Sequence, residues 1–167
     1  MSKTALIVID VQNDYFAPGK FPLWEADAAL SATEAAIIGA REAGMAVILV
    51  QHVANAEAPF FTPDSVGVAI HPRILTAAPE APVVIKTAAD AFLRTDLEAV
   101  LAGQGITELL ICGMMTHNCV THTALSKAAE KYQISVLADC CATVSQILNL
   151  IALKALSDRV VVKNWGE

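Results

Sequence analysis

Short, continuous apolar runs alternate along the chain with longer segments in which apolar residues recur at helical spacing. Runs of this kind are typical of strands that are buried on both faces of a parallel sheet. They predict six strands, at residues 4–10, 45–50, 83–85, 108–112, 134–138 and 160–162. The helical spacing predicts four helices, at residues 25–43, 88–103, 116–131 and 145–157.

Strands and helices alternate in this order, apart from one long loop between the second and third strands. The alternation predicts an α/β fold with a mostly parallel six-stranded sheet between two layers of helices. The chain of 167 residues suits one domain, over residues 1–167. The long loop covers residues 51–82, and a loop of that length in a compact domain is usually functional.

Aromatic side chains are concentrated in a second loop, residues 15–24. Four of the nine aromatic residues lie there: Tyr15, Phe16, Phe21 and Trp24. These rings either wall a ligand pocket or cover the edge of the sheet, and the sequence favours neither reading.

Composition narrows the class of protein. Charged residues make up 17% of the chain, below the roughly 25% typical of soluble domains, and a homo-oligomer that covers an apolar surface would explain the deficit. The net charge of −6 argues against nucleic acid as a partner. No apolar run reaches the roughly 18 residues that would indicate a membrane span. With no signal peptide and no disulfide framework, a reduced, cytoplasmic protein is expected.

The segment 107–124 carries the strongest chemical signal. An apolar strand ends at Gly113, and a helix is predicted to begin near Thr116, so that Cys119 falls in its first turn. Unpaired N–H groups and a partial positive charge at a helix start favour a thiolate over a thiol. Cys119 is therefore a candidate nucleophile, although most cysteines in apolar surroundings are only small core residues.

Two further reactive residues occur at matching positions. Asp10 ends the first predicted strand, and Lys86 directly follows the third. The carboxyl ends of parallel strands share one edge of the sheet, so both should lie near Cys119. Taken singly, Asp10 could be a turn residue and Lys86 a solvated surface residue. Together they suggest a general base, a charged partner and a thiol nucleophile.

The turn before Cys119, residues 113–116, contains two methionines where a phosphate-binding loop would carry glycines. Because the chain also has no GxGxxG or Walker motif, nucleotide binding is not expected. The backbone N–H groups of Met115 and Cys119 are better interpreted as donors to an oxyanion.

Four blocks, three of which contain Asp10, Lys86 or Cys119, resemble the isochorismatase-like cysteine hydrolase superfamily. They are residues 5–16, 83–86 with Ala91-Phe92, 111–120 and 139–143. Within it, four stretches look most like the streptothricin-hydrolase-like cysteine hydrolases. These are residues 19–23, Gln51-His52, Phe60-Phe61 and 113–117.

The resemblance implies a catalytic triad of Asp10, Lys86 and Cys119 and a cis peptide bond between Met114 and Met115. It also implies a doubly wound sheet of Rossmann-like strand order and a dimer or tetramer. The substrate would be a small molecule with an amide, lactam or ureido C–N bond. Six residues are candidates for the substrate pocket: Gln12, Phe16, His52, Phe61, Phe92 and Met114.

The chain departs from the resemblance at two places. Nicotinamidases carry an Asp-x-His metal motif after the second strand, whereas residues 50–55 here contain His52 without the acidic ligand. One imidazole is a weak metal site, so neither a metal nor another cofactor is predicted. The segment between Thr143 and Gln146 is also shorter than in such relatives.

The favoured hypothesis is a hydrolase in which Cys119 forms a thioester, Asp10 is the general base and Lys86 stabilises charge. The alternatives are a nicotinamidase-type hydrolase, an isochorismatase-type hydrolase and a non-catalytic, redox-responsive protein on the same fold. The adjacent pair Cys140-Cys141 motivates the redox hypothesis.

Overall fold

The computed structural model describes residues 3–167 and contains one six-stranded sheet. Its strands are β1 (Thr4–Ile9), β2 (Ala46–His52), β3 (Val83–Lys86), β4 (Glu108–Met114), β5 (Gln133–Ala142) and β6 (Val161–Lys163). All neighbours are parallel, in the order β3-β2-β1-β4-β5-β6. The predicted α/β class with a doubly wound sheet is confirmed.

Within residues 3–167, five α-helices accompany the sheet. They are α1 (Ala26–Glu42), α2 (Pro72–Ala77), α3 (Leu97–Gly103), α4 (Thr121–Ala124) and α5 (Gln146–Leu156). Central strand β1 is buried along nearly its whole length, as its continuous apolar run predicts, and α1 packs across β1, β2, β4 and β5. None of the helices within residues 3–167 combines the length and apolar character needed to cross a bilayer.

The predicted helix over residues 88–103 is wrong in its first half, since only α3 is helical. In the segment before α3, residues 88–96, short polar side chains form local hydrogen bonds with the backbone. The Phe92 N–H donates to Asp90 Oδ1, the Thr95 hydroxyl donates to Ala91 O, and the Leu97 N–H donates to Thr95 Oγ1. Local bonds of this kind compete with the helical ladder and favour turns.

The helix that follows Cys119 is shorter than predicted. A π-helical turn over Thr116–Val120 leads into α4, which ends at Ala124 rather than near residue 131. The Thr121 hydroxyl donates to Thr116 O at 2.7 Å, five residues back, which matches the wide π-turn. Ser126 then takes an extended conformation and donates to Asp90 Oδ2 at 2.7 Å.

The long loop is more ordered than predicted. Strand β2 continues to His52 because Gln51 and His52 pair with Ile85 and Lys86 of β3. Helix α2 begins at Pro72, where the fixed φ of proline suits a first helical position, and His71 caps it.

The rings of the aromatic loop differ in what they cover. Tyr15 and Phe61 are buried, with ring centroids 4.7 Å apart, and Phe21 stacks on Phe60 at 4.7 Å. Phe16 instead borders a cavity. The packing of Tyr15 and Phe21 favours cover for the sheet edge, and the position of Phe16 fits the reading in which the loop walls a pocket.

Helix α5 presents an apolar face to solvent. Ile147, Leu150 and Ile151 are 70%, 59% and 59% exposed and lie one helical turn apart. Large exposed apolar patches often mark interfaces. The expected homo-oligomer stays a prediction, and this face is a candidate for the contact with a second copy.

We predict that the protein is a dimer or tetramer and that the double variant Ile147→Glu/Ile151→Glu is a monomer, because two buried carboxylates would oppose association. Light scattering coupled to size-exclusion chromatography measures the mass directly. Gln146→Glu, which adds charge to the same helix beside this face, should leave the mass unchanged. A wild-type monomer would contradict the prediction.

Gly113 allows β4 to approach β1 closely. Its φ is +124°, and a Cβ there would lie 2.0 Å from Ile9 O. We predict that Gly113→Ala lowers the unfolding free energy by roughly 3 kcal/mol, which corresponds to a fall in Tm of roughly 6–12 °C in a thermal melt. Gly103→Ala is the matched control, because a Cβ there meets open space and its Tm should not fall. Equal melting temperatures for the two variants would disprove this account.

Candidate active site

Three elements deliver reactive side chains to the carboxyl edge of the sheet. Asp10 directly follows β1, Lys86 is the last residue of β3, and Cys119 lies in the π-turn after β4. Their exposed fractions are 0%, 1% and 4%. The sheet reverses its winding between β1 and β4, and open α/β sheets bind their ligands at such a point.

The Lys86 ammonium lies at the centre of the cluster. Its Nζ is 2.9 Å from Asp10 Oδ2, 3.3 Å from Cys119 Sγ and 2.8 Å from His52 Nδ1. It also donates to Ala88 O at 2.9 Å. A buried charge is stable only when it is paired and hydrogen-bonded, and these four neighbours meet that requirement.

The Asp10 carboxylate is paired with a charge but not saturated. Within residues 3–167 neither of its oxygens accepts a well-aligned hydrogen bond, so the 2.9 Å contact with Lys86 is an ion pair of poor hydrogen-bond geometry. Burial raises the pKa of Asp10, while the charge of Lys86 opposes that rise. A buried carboxylate with free acceptor capacity and a raised pKa is suited to take up a proton.

Burial also raises the pKa of the Cys119 thiol, to about 12, with the Asp10 charge adding to the rise and Lys86 opposing it. Burial and the Asp10 charge therefore act against the thiolate that a helix start would favour, and the π-turn that carries Cys119 is not a regular helix start. The effect of the helix start on the thiol stays a prediction. The thiol must lose its proton when it attacks.

The turn that precedes Cys119 is tightly fixed. The Met114–Met115 peptide bond is cis, and the N–H groups of Asn118 and Val120 both donate to Met115 O. The Thr116 hydroxyl donates to Asn149 Oδ1 of α5 at 2.6 Å. Helix α5 thus holds the cysteine turn from outside the sheet.

Two of the predicted pocket residues present no surface to a ligand. Gln12 and Met114 are fully buried, and the Gln12 carboxamide is used in backbone hydrogen bonds. Asp10 is just as buried, so burial by itself does not exclude them from the site, and their place in the substrate pocket stays a prediction.

The remaining four candidates lie around the cluster or at a distance from it. His52 contacts Lys86, and its ring lies 6.1 Å from the buried Phe61 ring. Phe92 is half-buried and stacks on Tyr132 at 6.3 Å.

Phe16 packs on His71 at 4.7 Å and borders a separate cavity of about 410 Å³. A larger cavity, of about 850 Å³, lies where β5 and β6 begin and is not lined by Asp10, Lys86 or Cys119.

Asp10, His52 and Cys119 carry the atom types of a zinc site, and their donor atoms lie within 4.8 Å of one another. The Lys86 ammonium already lies 2.8–3.3 Å from one atom of each residue. A metal ion there would meet a like charge at contact distance, so the residues do not fit a metal while Lys86 is in place. The sequence also has Val50 where the nicotinamidase metal motif has an acidic ligand. That no metal is bound stays a prediction.

A doubly wound α/β protein with Asp, Lys and Cys at one sheet edge is a recognisable class. The sequence matches the isochorismatase domain over residues 4–162. The chain belongs to the isochorismatase family.

Relatives support this assignment. The uncharacterized isochorismatase family protein YddQ of Bacillus subtilis (strain 168) is 38% identical over 141 residues, which are 84% of this chain and 78% of YddQ. A streptothricin hydrolase of Streptomyces noursei is 37% identical over 122 residues, which are 72% of this chain but 42% of that enzyme. The resemblance inferred from the sequence is confirmed.

Solved structures show the same fold. A protein of Oleispira antarctica assigned to the isochorismatase hydrolases superimposes with a TM-score of 0.88 and 36% identity, over 98% of this chain and 94% of that chain. The nicotinamidase PncA of Bacillus subtilis also gives 0.88, with 24% identity, over 97% of this chain and 99% of that chain. The latter is a likeness of fold alone.

The charges around Cys119 predict an unusual effect of a substitution at Asp10. Asp10→Asn removes a neighbouring negative charge, which lowers the thiol pKa and raises the thiolate fraction at any pH below it. We predict that Cys119 is alkylated by iodoacetamide roughly tenfold faster in this variant between pH 8 and 10. Peptide mass mapping identifies the labelled cysteine.

Cys119→Ala gives the background labelling for this measurement. That background should be low, because burial raises the pKa of Cys112, Cys140 and Cys141. Slower labelling of Asp10→Asn than of wild type would contradict the electrostatic account.

Proposed function

We propose that the protein is a cysteine-dependent hydrolase that cleaves an amide, lactam or ureido C–N bond of a small molecule. The observation that carries the proposal is the Lys86 ammonium between the Asp10 carboxylate and the Cys119 thiol, at 2.9 Å and 3.3 Å. The streptothricin hydrolase among the relatives supports an amide-type bond. The isochorismatase family gives the hydrolase class.

The first half of the reaction forms a thioester. Asp10 accepts the Cys119 proton as the sulfur attacks the carbonyl carbon of the substrate. The carbonyl oxygen becomes an oxyanion, to which the N–H groups of Met115 and Cys119 donate. The C–N bond then breaks, and the protonated Asp10 gives its proton to the leaving amine.

The second half releases the acid. Asp10, again a carboxylate, takes a proton from a water molecule that attacks the thioester carbon. The C–S bond breaks, the carboxylic acid product leaves, and the proton held by Asp10 returns to sulfur. Lys86 keeps a positive charge beside the two groups that exchange the proton.

The raised thiol pKa fits this sequence of steps. At pH 7 a thiol with a pKa of about 12 costs roughly 7 kcal/mol to ionise in the absence of substrate. Direct transfer to an adjacent buried carboxylate avoids a free thiolate. Asp10 can serve in this way because its own pKa is raised.

The other hypotheses have weaker support. A nicotinamidase-type reaction with a metal would need ligands where Val50 and the Lys86 ammonium lie. Redox sensors use accessible cysteines of low pKa, whereas Cys140 and Cys141 are buried and have raised pKa values. An isochorismatase-type cleavage needs no thiol and leaves the Asp10–Lys86–Cys119 arrangement unexplained. The absence of a cofactor and the cytoplasmic location stay predictions.

We predict that wild-type protein forms a transient covalent adduct with at least one member of a panel of small amides, lactams and ureido compounds, with nicotinamide included. Cys119→Ala should form no adduct and should lose at least about 10³-fold in turnover, as expected for a nucleophile. Intact-mass spectrometry after short exposure measures the adduct, and its mass identifies the acyl group.

Asp10→Asn is the second variant for this experiment. It keeps the nucleophile but lacks the base, so it should lose turnover even though its free thiol labels faster. An adduct that persists in Cys119→Ala would show that another residue is the nucleophile. Full turnover by Cys119→Ala would disprove the proposed function.

A further inference from the structure

We propose that Gln12 and His52 are positioning residues that hold the Lys86 ammonium in place, through a chain of contacts from Gln12 to the His52 backbone and from the His52 ring to Lys86. Neither residue needs to touch substrate for this role. The inference rests on the proposed function of Lys86 and explains how its long side chain is kept in one place.

Beyond the end of β1, the Gln12 side chain continues the hydrogen bonding to β2. Strand β1 pairs with β2 as far as Val50, and Asp10 adds one bond, from its N–H to Val50 O. Two residues further along β2, the Gln12 carboxamide takes the place of a missing peptide group. Its Oε1 accepts from the His52 N–H, and its Nε2 donates to His52 O, both at 2.8 Å.

The carboxamide is also anchored on its other side. Nε2 donates its second proton to Val68 O at 2.7 Å, and the side chain is fully buried. Both donors and one acceptor of the amide are therefore used, which fixes its orientation. A fixed amide in turn fixes the backbone of His52.

The fixed His52 in turn restrains the position of Lys86. The two residues are register partners on β2 and β3, and His52 Nδ1 lies 2.8 Å from Nζ. An ammonium can only donate, so Nδ1 must carry a lone pair and the proton must be on Nε2. Burial and the Lys86 charge lower the pKa of His52, in keeping with a neutral ring, while Asp10 opposes that shift.

A neutral acceptor suits this position. His52 Nδ1 and Ala88 O hold two directions of the ammonium without cancelling its charge. The full positive charge then remains for Asp10 and Cys119. A flexible lysine loses rotamer entropy when it is held in one geometry, so fixed acceptors are needed to hold it there.

The alkylation rate of Cys119 reports the position of Lys86 without any substrate. In the otherwise wild-type protein, where Asp10 still pairs with Lys86, the Lys86 charge beside the thiol lowers the thiol pKa. We expect Gln12→Met, which has a similar volume and no amide, to raise that pKa and slow iodoacetamide labelling between pH 8 and 10 by roughly three- to tenfold.

A pair of His52 variants tests the acceptor directly. In His52→Asn the side-chain oxygen can replace Nδ1, and labelling should stay within about twofold of the wild-type rate. In His52→Leu no acceptor remains, and labelling should slow as in Gln12→Met. Equal slowing in both His52 variants would overturn the role of Nδ1, and circular dichroism checks that each variant is folded.

Gln51→Ala is the matched control. Gln51 Nε2 donates to the same Val68 O, at 2.9 Å, but its amide makes no bond to the His52 backbone. Its labelling rate should be unchanged. The proposal is wrong if Gln51→Ala slows labelling as much as Gln12→Met, or if Gln12→Met and His52→Leu leave it unchanged. Failure to find a hydrolysed substrate would affect none of these rates.

Discussion

The site depends on one buried cation. The Lys86 ammonium is cut off from water and is stable there only because Asp10, His52, Cys119 and Ala88 O surround it at 2.8–3.3 Å. Removing a charge from water costs several kcal/mol, and only close, well-placed partners offset that cost. The four neighbours must therefore be positioned accurately around the ammonium. The sheet provides that accuracy, because the ends of β1, β2 and β3 are fixed by parallel pairing.

The same burial also shifts the pKa values of the groups that exchange the proton. Desolvation raises the pKa of both Asp10 and Cys119, and the positive charge of Lys86 limits both shifts. An isolated thiolate is thus unfavourable, while proton exchange between two adjacent buried groups is not. In such a site the cysteine is a nucleophile only when a substrate brings it an electrophilic carbon, which is unlike the standing thiolate of a redox sensor.

Much of this could be predicted from the sequence, although some parts depended on remote partners. Continuous apolar runs predicted the buried strands. The positions of Asp10, Lys86 and Cys119 at strand ends predicted that these three residues lie close together. The failure at residues 88–96 came from Asp90 and Thr95, whose side chains replaced helical bonds with local ones. The bonds of Gln12 to the His52 backbone could not be predicted, because a polar residue after a strand end looks the same whether it meets ligand or backbone.

The sequence by itself determined the fold class, the strand order through its family resemblance, and the three residues at the sheet edge, because periodicity and motif spacing are local properties of a chain. Tertiary structure alone decided that His52 faces Lys86, that Gln12 substitutes for a missing β1 peptide, and that burial and Asp10 raise the pKa of the Cys119 thiol. Register between β2 and β3 and the depth of burial are sums over residues far apart in sequence. They therefore have no local signature.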